Sequence, residues 1–288
     1  MSHEGSIVRL IECPRDAMQG IHEFIPSEKK IAYINSVLKC EFDTVDFGSF
    51  VSPKAIPQMR DTAEVLEGLD LAASNSKLLA IVANLRGAKD ALAFDEIDFL
   101  GFPFSISETF QKRNTNATIE ESLKRVEEIQ RLCAKKKKKL VIYISMAFGN
   151  PYGDPWDGDI AIEWTKKLSG LGIKIFALAD TTGVSNPGNI TSIFSKLIPE
   201  FPKLEIGAHL HTTPDKWEEK VRAAWDAGCR RFDSAIKGFG GCPMAEDKLT
   251  GNMPTENLLG FLEREKAVSG INMNAFSEAM KEAVKTFS

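Results

Sequence analysis

The chain has 288 residues, and its 36 Lys and Arg against 40 Asp and Glu give a formal net charge of −4. Hydrophobic residues make up 43% of the sequence and charged residues 26%, a composition typical of a globular enzyme and not of a disordered or fibrous chain. The mild acidity also argues against a nucleic-acid partner, because nucleic-acid binders usually carry a basic surplus.

The five cysteines are scattered, and no two of them form a CxxC pair. Their odd number and their spacing argue against a disulfide scaffold and against a structural zinc site, so reduced thiols are expected. The first residues lack the apolar core of a signal peptide, and no apolar run reaches the length of a membrane helix. We therefore expect a cytoplasmic protein without a membrane partner.

Short apolar and β-branched runs recur eight times along the chain, and each is typical of a buried strand. The predicted strands are 7–12, 44–48, 78–83, 97–102, 140–146, 174–179, 205–211 and 231–236.

Segments with a helical spacing of apolar residues lie between these strands and after the last one. The predicted helices are 31–38, 118–133, 160–168, 187–197, 214–227, 255–262 and 275–284. Thr118 and Glu121 have the spacing of a capping box, and Asp159 is the expected cap of the third helix. Eight strand–helix repeats predict an α/β protein with a (β/α)8 TIM barrel. We expect one domain over 1–288, with 251–288 as added C-terminal helices.

Polar residues follow all eight predicted strands, at the carboxyl ends where barrels of this class carry their chemistry. In chain order they are Arg15 and Asp16, Asp46 and Ser49, Asn84, Ser105 and Ser107, Ser145, Asp180 and Thr181, His209 and His211, and the glycine-rich stretch 238–243. The pattern predicts a single polar mouth at one end of the barrel.

His209 and His211 are two residues apart on a predicted strand, so both imidazoles point to the same face and can meet one metal ion. Asp16 from another strand would complete a set of two imidazoles and one carboxylate. Such a set does not select among Mg²⁺, Mn²⁺, Co²⁺ and Zn²⁺. A hydrogen-bonded histidine pair lining a polar mouth is the alternative.

Arg15 and Cys242 each allow two interpretations. Arg15 is either one half of a surface ion pair with Asp16 or a clamp for an oxyanion or carboxylate at the mouth. Cys242 follows three glycines in the sequence GFGGCP, which is typical of a loop that opens and closes. A thiol there can move a proton once the site closes, or it is a free surface thiol.

Taken together, the motifs resemble the 3-hydroxy-3-methylglutaryl-CoA lyase family of metal-dependent barrel enzymes, over nearly the whole chain. The matching stretches are IECPRDAMQ at 11–19, SFVSPK at 49–54, SETFQKRN at 107–114, ADTTGV at 179–184, HLH at 209–211, GFGGCP at 238–243 and TGN at 250–252. The histidine pair and the Arg-Asp pair are shared with synthases that condense acetyl-CoA with 2-oxo acids. SFVSPK and GGCP are the specific motifs.

The resemblance implies cleavage of 3-hydroxy-3-methylglutaryl-CoA (HMG-CoA) into acetyl-CoA and acetoacetate, with an acyl-CoA as the partner molecule. It also implies a divalent ion, Mg²⁺ or Mn²⁺ above all. The implied metal ligands are Asp16, His209, His211 and Asn252.

Roles for further residues are implied in the same way. Asp16, or a neighbour assisted by His209, would take the hydroxyl proton of the substrate, Arg15 would stabilise the enolate, and Cys242 would take part in delivering a proton to it. Asp46 and Asp180 are implied as further catalytic residues, and the residues implied to bind the substrate are Arg15, Gln19, Ser49 and Cys242.

Several positions depart from the pattern of the family. Asp46 stands where glutamate is usual, Cys13 and Ala17 replace glycines, Asn150 replaces a cysteine, and 212–215 differs after the second histidine. These departures leave open a lyase or aldolase for another 3-hydroxy acyl-CoA or hydroxy acid. A condensing synthase and an inactive binding protein are further alternatives. A homodimer is also left open, as are leucine degradation and ketone-body formation as pathways.

Overall fold

A computed structural model of the chain describes residues 5–241 and 250–287. Eight parallel strands close into a barrel, because β1 pairs with both β2 and β8 and because β6 pairs with both β5 and β7. The strands are β1 Arg9–Glu12, β2 Thr44–Ser49, β3 Lys77–Ile81, β4 Ile97–Ser105, β5 Lys139–Ser145, β6 Ile175–Asp180, β7 Glu205–Thr212 and β8 Arg231–Ser234. The predicted (β/α)8 barrel is confirmed, and each predicted strand overlaps an observed one.

Helices connect the successive strands of the barrel, and two more follow the last strand. They are α1 Pro14–Gln19, α2 Ser27–Leu38, α3 Thr62–Glu67, α4 Leu85–Ala91, α5 Glu108–Thr115, α6 Ile119–Lys135, α7 Gly158–Ser169, α8 Pro187–Glu200, α9 Trp217–Asp226, α10 Thr255–Arg264 and α11 Met273–Phe287. The sequence analysis missed α1, α3, α4 and α5. Each has eight residues or fewer, too short to repeat an apolar stripe.

The predicted capping box is present, since Thr118 accepts from the backbone of Glu121 and the Glu121 carboxylate accepts from the backbone of Thr118. Two predicted helix starts are wrong. Asp157, and not Asp159, caps α7 by accepting from the backbone N–H of Ile160. Helix α9 begins at Trp217, three residues after Pro214, because the intervening segment forms a turn.

The barrel interior is apolar on one side and charged on the other. The apolar side is a cluster from β3, β5 and β6 that consists of Leu79, Ile81, Val141, Tyr143, Ile175 and Ala177. The opposite side, from β2, β7 and β8, carries the buried polar residues Asp46, His209, Arg231 and Asp233. The polar residues at the mouth therefore continue into the barrel interior as a row of buried charged residues.

The C-terminal segment packs against the barrel and its helices. Phe276, Ala279 and Ala283 of α11 are buried in the main hydrophobic core, and the rings of Tyr33 on α2 and Phe287 pack edge to face with centroids 5.5 Å apart. A two-residue strand, β9 Gly251–Asn252, pairs antiparallel with β7. Because this segment shares the barrel's core, we propose that 1–288 is one domain. Within the described ranges, every helix is too short or too polar to span a bilayer.

Glu12, the last residue of β1, is fully buried and connects three elements at the carboxyl end of the barrel. Its carboxylate accepts from the backbone N–H of Ile236 at 2.8 Å and from the hydroxyl of Thr255 at 2.6 Å. The Thr255 hydroxyl also lies 3.0 Å from the hydroxyl of Ser234. Burial raises the pKa of Glu12 from 4.5 to about 8, although both hydrogen bonds oppose the shift. The folded protein therefore favours a neutral Glu12.

We expect the free energy of unfolding to fall as the pH rises from about 4.5 to about 8, because the unfolded chain releases the Glu12 proton over this range and the folded chain keeps it. The loss is on the order of 5 kcal/mol. Glu12→Gln keeps an acceptor for the Ile236 N–H, and its NH₂ group can donate to the Thr255 hydroxyl as a protonated Glu12 would, without a charge. It is expected to be more stable than wild type near pH 9 and of similar stability near pH 5, as measured by denaturant unfolding. If the difference in stability between Glu12→Gln and wild type were the same near pH 5 and near pH 9, Glu12 would not be neutral in the folded protein.

Candidate functional site

Helix α1 begins directly after β1 and carries Arg15 and Asp16 into the mouth of the barrel. Pro14 occupies the first helical position, where its missing N–H costs no hydrogen bond. Arg15 and Asp16 are 6% and 5% exposed, so two adjacent charged residues are buried together. They lie on a short helix and not on the strand itself, but at the mouth where the sequence predicts them.

The Arg15 guanidinium is held between two carboxylates. Its Nε lies 3.1 Å from Asp46 Oδ2, its Nη2 also donates to Asp46, and its Nη1 donates to Asp16 Oδ1 at 2.7 Å. A guanidinium has five N–H donors, so one N–H on each Nη atom stays available for a further acceptor. Of the two interpretations of Arg15, the surface ion pair is excluded by its burial.

The two carboxylates beside Arg15 differ in their affinity for a proton. Burial raises the pKa of Asp46 to about 6, and the neighbouring Arg15 only partly offsets this. Burial also raises the pKa of Asp16, but the charges of Arg15, His209 and His211 outweigh it and lower that pKa to about 2. Asp16 is therefore a charged carboxylate at neutral pH, as a metal ligand must be.

The two histidines of β7 each have one ring nitrogen engaged by an acceptor. His209 Nδ1 lies 3.2 Å from Asp233 Oδ2, and His211 Nδ1 lies 3.0 Å from the carbonyl oxygen of Thr181. Because both partners are acceptors, both Nδ1 atoms carry a proton, and in the neutral form of each ring Nε2 presents a lone pair. The ring centroids are 5.2 Å apart, so the two side chains lie side by side.

The pKa values of the two histidines shift in opposite directions. For His209, burial lowers the pKa, but the hydrogen bond and charge of Asp233 raise it by more. For His211, burial and the neighbouring His209 lower the pKa, so its ring is neutral near pH 7. A carboxylate behind the Nδ1–H of a metal-binding histidine is a common arrangement, because it fixes the tautomer and raises the basicity of Nε2.

Asp16, His209 and His211 have the geometry of a metal site. One ligand atom from each lies within 4.8 Å of the others. Asp16 Oδ2 and His211 Nε2 are both buried, 3.9 Å apart, and without a hydrogen-bond partner among the described residues. Two unsatisfied buried atoms are costly, and a cation between them would satisfy both. The donor set therefore fits a divalent ion.

Asn252 and the start of the glycine-rich loop cover this group. Asn252 on β9 is in register with His211, and its Nδ2 donates to the carbonyl oxygen of Phe239 at 2.8 Å. Gly240 has a φ of +81°, and a Cβ there would lie 2.5 Å from the carbonyl oxygen of Asp16. Glycine is needed at this position because the loop lies directly against α1. Cys242 lies outside the described residues.

The other predicted pocket residues contact neighbouring protein groups. Gln19 Nε2 donates to Asp16 Oδ1 at 2.6 Å and so helps to orient that carboxylate. Ser49 is buried and donates to the carbonyl oxygen of Ile81 at 3.2 Å. Both oxygens of Asp180 accept hydrogen bonds, from Ser185 and from Lys220. Arg15, Asp16, Gln19, Asp46, His209, His211 and Asn252 thus form one connected group, whereas Ser49 and Asp180 bond within the walls around it.

Not every polar residue after a strand belongs to the site. Asn84 accepts from the backbone N–H of Gly87 and caps α4, and Ser107 accepts from that of Phe110 and caps α5. The sequence analysis also missed Asp233, whose other oxygen is ion-paired with Arg231 at 2.7 Å. Arg231 and Asp233 alternate around Phe232 on this strand, and this period-two pattern was the signal that could have identified Asp233.

A second group of possible ligands lies deeper in the barrel. Cys13, His209 and Asp233 also place one ligand atom each within 4.8 Å of the others. Asp233 is already paired with Arg231, and burial together with the Asp233 charge raises the pKa of the Cys13 thiol well above its usual value. A cationic neighbour and a protonated thiol both disfavour a metal ion here.

Comparison with known proteins agrees with this geometry. The sequence profile of the HMGL-like family matches residues 9–282. The mitochondrial hydroxymethylglutaryl-CoA lyase of Bos taurus is 33% identical over 276 residues, which cover 94% of this chain and 83% of the relative. The cytoplasmic 3-hydroxy-3-methylglutaryl-CoA lyase of Rattus norvegicus is 31% identical over 273 residues, which cover 94% and 79%.

Solved structures give the same result. The HMG-CoA lyase of Brucella melitensis superposes with a TM-score of 0.91 at 28% identity, over 98% of this chain and 99% of that one. The HMG-CoA lyase of Acinetobacter baumannii, solved with coenzyme A and 3-methylmalate, has a TM-score of 0.89 at 30% identity, over 97% and 91%. By sequence and by structure, the chain belongs to the HMGL-like family of carbon–carbon lyases.

Proposed function

We propose that the protein is a divalent-metal-dependent lyase that cleaves 3-hydroxy-3-methylglutaryl-CoA into acetyl-CoA and acetoacetate. The observation that carries the proposal is the convergence of Asp16, His209 and His211 beside the buried Arg15. The names of the relatives supply the substrate, and the coenzyme A in the Acinetobacter structure supports an acyl-CoA partner. Mg²⁺ and Mn²⁺ are the ions we propose, held by Asp16, His209, His211 and Asn252.

The proposed reaction breaks one C–C bond. The tertiary hydroxyl loses its proton to Asp16 or to a neighbour assisted by His209, and its oxygen becomes the new ketone of acetoacetate. The electron pair of the broken bond passes to the thioester fragment, which leaves as the enolate of acetyl-CoA. When bound, a divalent ion would supply acidification and orientation of the hydroxyl. The low pKa of Asp16 keeps its carboxylate deprotonated at neutral pH and therefore able to accept a proton.

Arg15 is placed to stabilise the enolate. Asp46 and Asp16 hold its guanidinium rigidly, so its two remaining Nη hydrogens need no reorganisation when negative charge develops on the thioester oxygen. Asp46 supports this arrangement as an acceptor for Nε and Nη2. We propose that Arg15 acts as the donor to the enolate oxygen and that Asp46 acts through it.

The function is tested by incubating the purified protein with HMG-CoA and Mn²⁺ or Mg²⁺ and detecting acetoacetate in a coupled assay. We expect turnover that stops when the metal is removed by a chelator and returns when Mn²⁺ is added. If HMG-CoA gives no acetoacetate but another 3-hydroxy acyl-CoA is cleaved, the reaction class stands and the substrate is wrong. Full activity after exhaustive chelation would contradict the metal-dependent scheme.

Cys242 is proposed to take part in delivering the proton that converts the enolate into acetyl-CoA. Cys242→Ala is expected to lower turnover by about 100-fold or more, the range of general acid catalysis, and to leave Mn²⁺ affinity unchanged. Cys133→Ala is the control, because Cys133 is a buried free thiol on α6. Equal turnover in Cys242→Ala and wild type would remove Cys242 from the mechanism.

A lyase for a different hydroxy acyl-CoA or hydroxy acid is the second candidate. The observation that favours it is Asp46, which is one methylene shorter than glutamate and is fully engaged by Arg15. The Acinetobacter relative was also solved with a hydroxy acid, 3-methylmalate. A homodimer, a cytoplasmic location and a place in leucine degradation stay predictions.

A further inference from the structure

Lys220 is a buried lysine directly behind the proposed metal ligands. It lies on α9 and is 1% exposed. Its Nζ donates to Asp180 Oδ2 at 2.8 Å, to the carbonyl oxygen of His211 at 2.8 Å and to that of Gly183 at 3.0 Å. An ammonium group has three N–H donors, so each donor has an acceptor inside the protein.

The three acceptors lie at the carboxyl ends of two neighbouring strands, β6 and β7. Asp180 is the last residue of β6, Gly183 follows in the next loop, and His211 is near the end of β7. The ammonium group therefore joins the carboxyl ends of two adjacent strands from the helical layer outside the barrel.

The end of β6 also holds the imidazole of His211 in place. The carbonyl oxygen of Thr181, the residue after Asp180, accepts from His211 Nδ1 at 3.0 Å. The Thr181 hydroxyl accepts from the backbone N–H of Met146 at 2.9 Å, so a contact from the end of β5 fixes Thr181 on its other side. If the ends of β6 and β7 separated, the bond between Thr181 and His211 Nδ1 would lengthen, and Nε2 would no longer be aimed at Asp16.

We propose that Lys220 is a positioning residue for the divalent ion. By holding the His211 backbone against Asp180, it keeps the Thr181 carbonyl within reach of His211 Nδ1. It thereby keeps the lone pair of Nε2 directed at Oδ2 of Asp16, which lies 3.9 Å away and has no hydrogen-bond partner within the described residues. The inference rests on the metal site of the proposed function and adds to it a residue that does not touch the ion.

Stability alone is a weak reason for a lysine in this place. Removing two charges from water costs free energy that their attraction often fails to recover, so a buried ion pair adds little net stability compared with apolar residues. The molecule contains a second pair of the same kind, in which Lys30 Nζ lies 2.7 Å from Asp61 and Lys30 is 2% exposed. Lys30 hydrogen-bonds to Asp61 and Gln58, away from the metal ligands, so this pair provides a matched control.

The experiment titrates Mn²⁺ into the full chain and follows free Mn²⁺ by electron paramagnetic resonance, so that no substrate is needed. Lys220→Met is expected to raise the dissociation constant for Mn²⁺ by about 10- to 100-fold, the usual effect of losing a partner behind a metal ligand. Lys30→Met also leaves a buried aspartate unpaired, but it is expected to keep the wild-type Mn²⁺ affinity.

A double variant protects the test against misfolding. Asp180→Asn combined with Lys220→Met removes the uncompensated charge and should fold even if the single variant does not. It still lacks the bond to the His211 carbonyl, so its Mn²⁺ affinity should be as weak as that of Lys220→Met. A dissociation constant within threefold of wild type in the folded double variant would overturn the proposal. Wild-type protein that binds no Mn²⁺ would contradict the metal site itself, and with it the proposed function.

Discussion

Arg15→Gln is expected to lower turnover of HMG-CoA by about 100- to 1000-fold, the range seen when one donor to a developing oxyanion is removed. The glutamine side chain is neutral and shorter, so neither free Nη hydrogen remains for the thioester oxygen. Metal binding should survive, because Arg15 donates to Asp16 Oδ1 and leaves Oδ2 free. The measurement is kcat from acetoacetate release, together with Mn²⁺ affinity by electron paramagnetic resonance.

Arg15→Lys separates the charge of Arg15 from its geometry. A lysine keeps the positive charge but cannot donate to Asp46 and to the substrate in the fixed fork of a guanidinium, so only part of the turnover should return. Lys30→Met again controls for the loss of a buried ion pair elsewhere. If Arg15→Gln keeps turnover within about fivefold of wild type, Arg15 does not stabilise the enolate.

The strands and the histidine pair were predictable because their signals are local. Most barrel strands lie in short runs rich in apolar residues, and the alternation along β7 places His209 and His211 on one face whatever the rest of the chain does. Helix α1 carries no such local signal. It has six residues, begins with proline, and buries Arg15 and Asp16 only because Asp46 and the histidines arrive from distant strands.

The residues that support the site are harder to predict from the local sequence. On β8 the buried positions include Arg231 and Asp233 around Phe232, a period-two pattern that could have marked both charges as inward-facing. Lys220 has no such mark, because it lies among charged residues on an amphipathic helix where an exposed lysine is the ordinary expectation. Its acceptor Asp180 is 40 residues away in sequence, so only the closed barrel brings the two together.

Asp16→Asn is expected to weaken Mn²⁺ binding by more than about 100-fold, because even the loss of a partner behind a ligand costs 10- to 100-fold and Asp16 would touch the ion itself. In wild type, Arg15 and Gln19 both donate to Oδ1 of Asp16, and the asparagine amide keeps an oxygen for these two donors. It places an NH₂ group where Oδ2 lies 3.9 Å from His211 Nε2. An NH₂ group has no lone pair to offer a cation, so the place of the ion between the two side chains is lost.

Thermal unfolding distinguishes this result from simple damage to the fold. Mn²⁺ should raise the Tm of wild type, since a ligand that binds only the folded state stabilises it, and it should leave the Tm of Asp16→Asn unchanged. Without metal, the variant should unfold at a lower temperature than wild type, because the charged Asp16 stabilises the folded state through its ion pair with Arg15. Asp61→Asn removes a buried carboxylate that bonds to Ser27 and Lys30, so it should lower the Tm but keep the response to Mn²⁺. An Asp16→Asn protein that Mn²⁺ stabilises as strongly as wild type would show that the ion binds elsewhere.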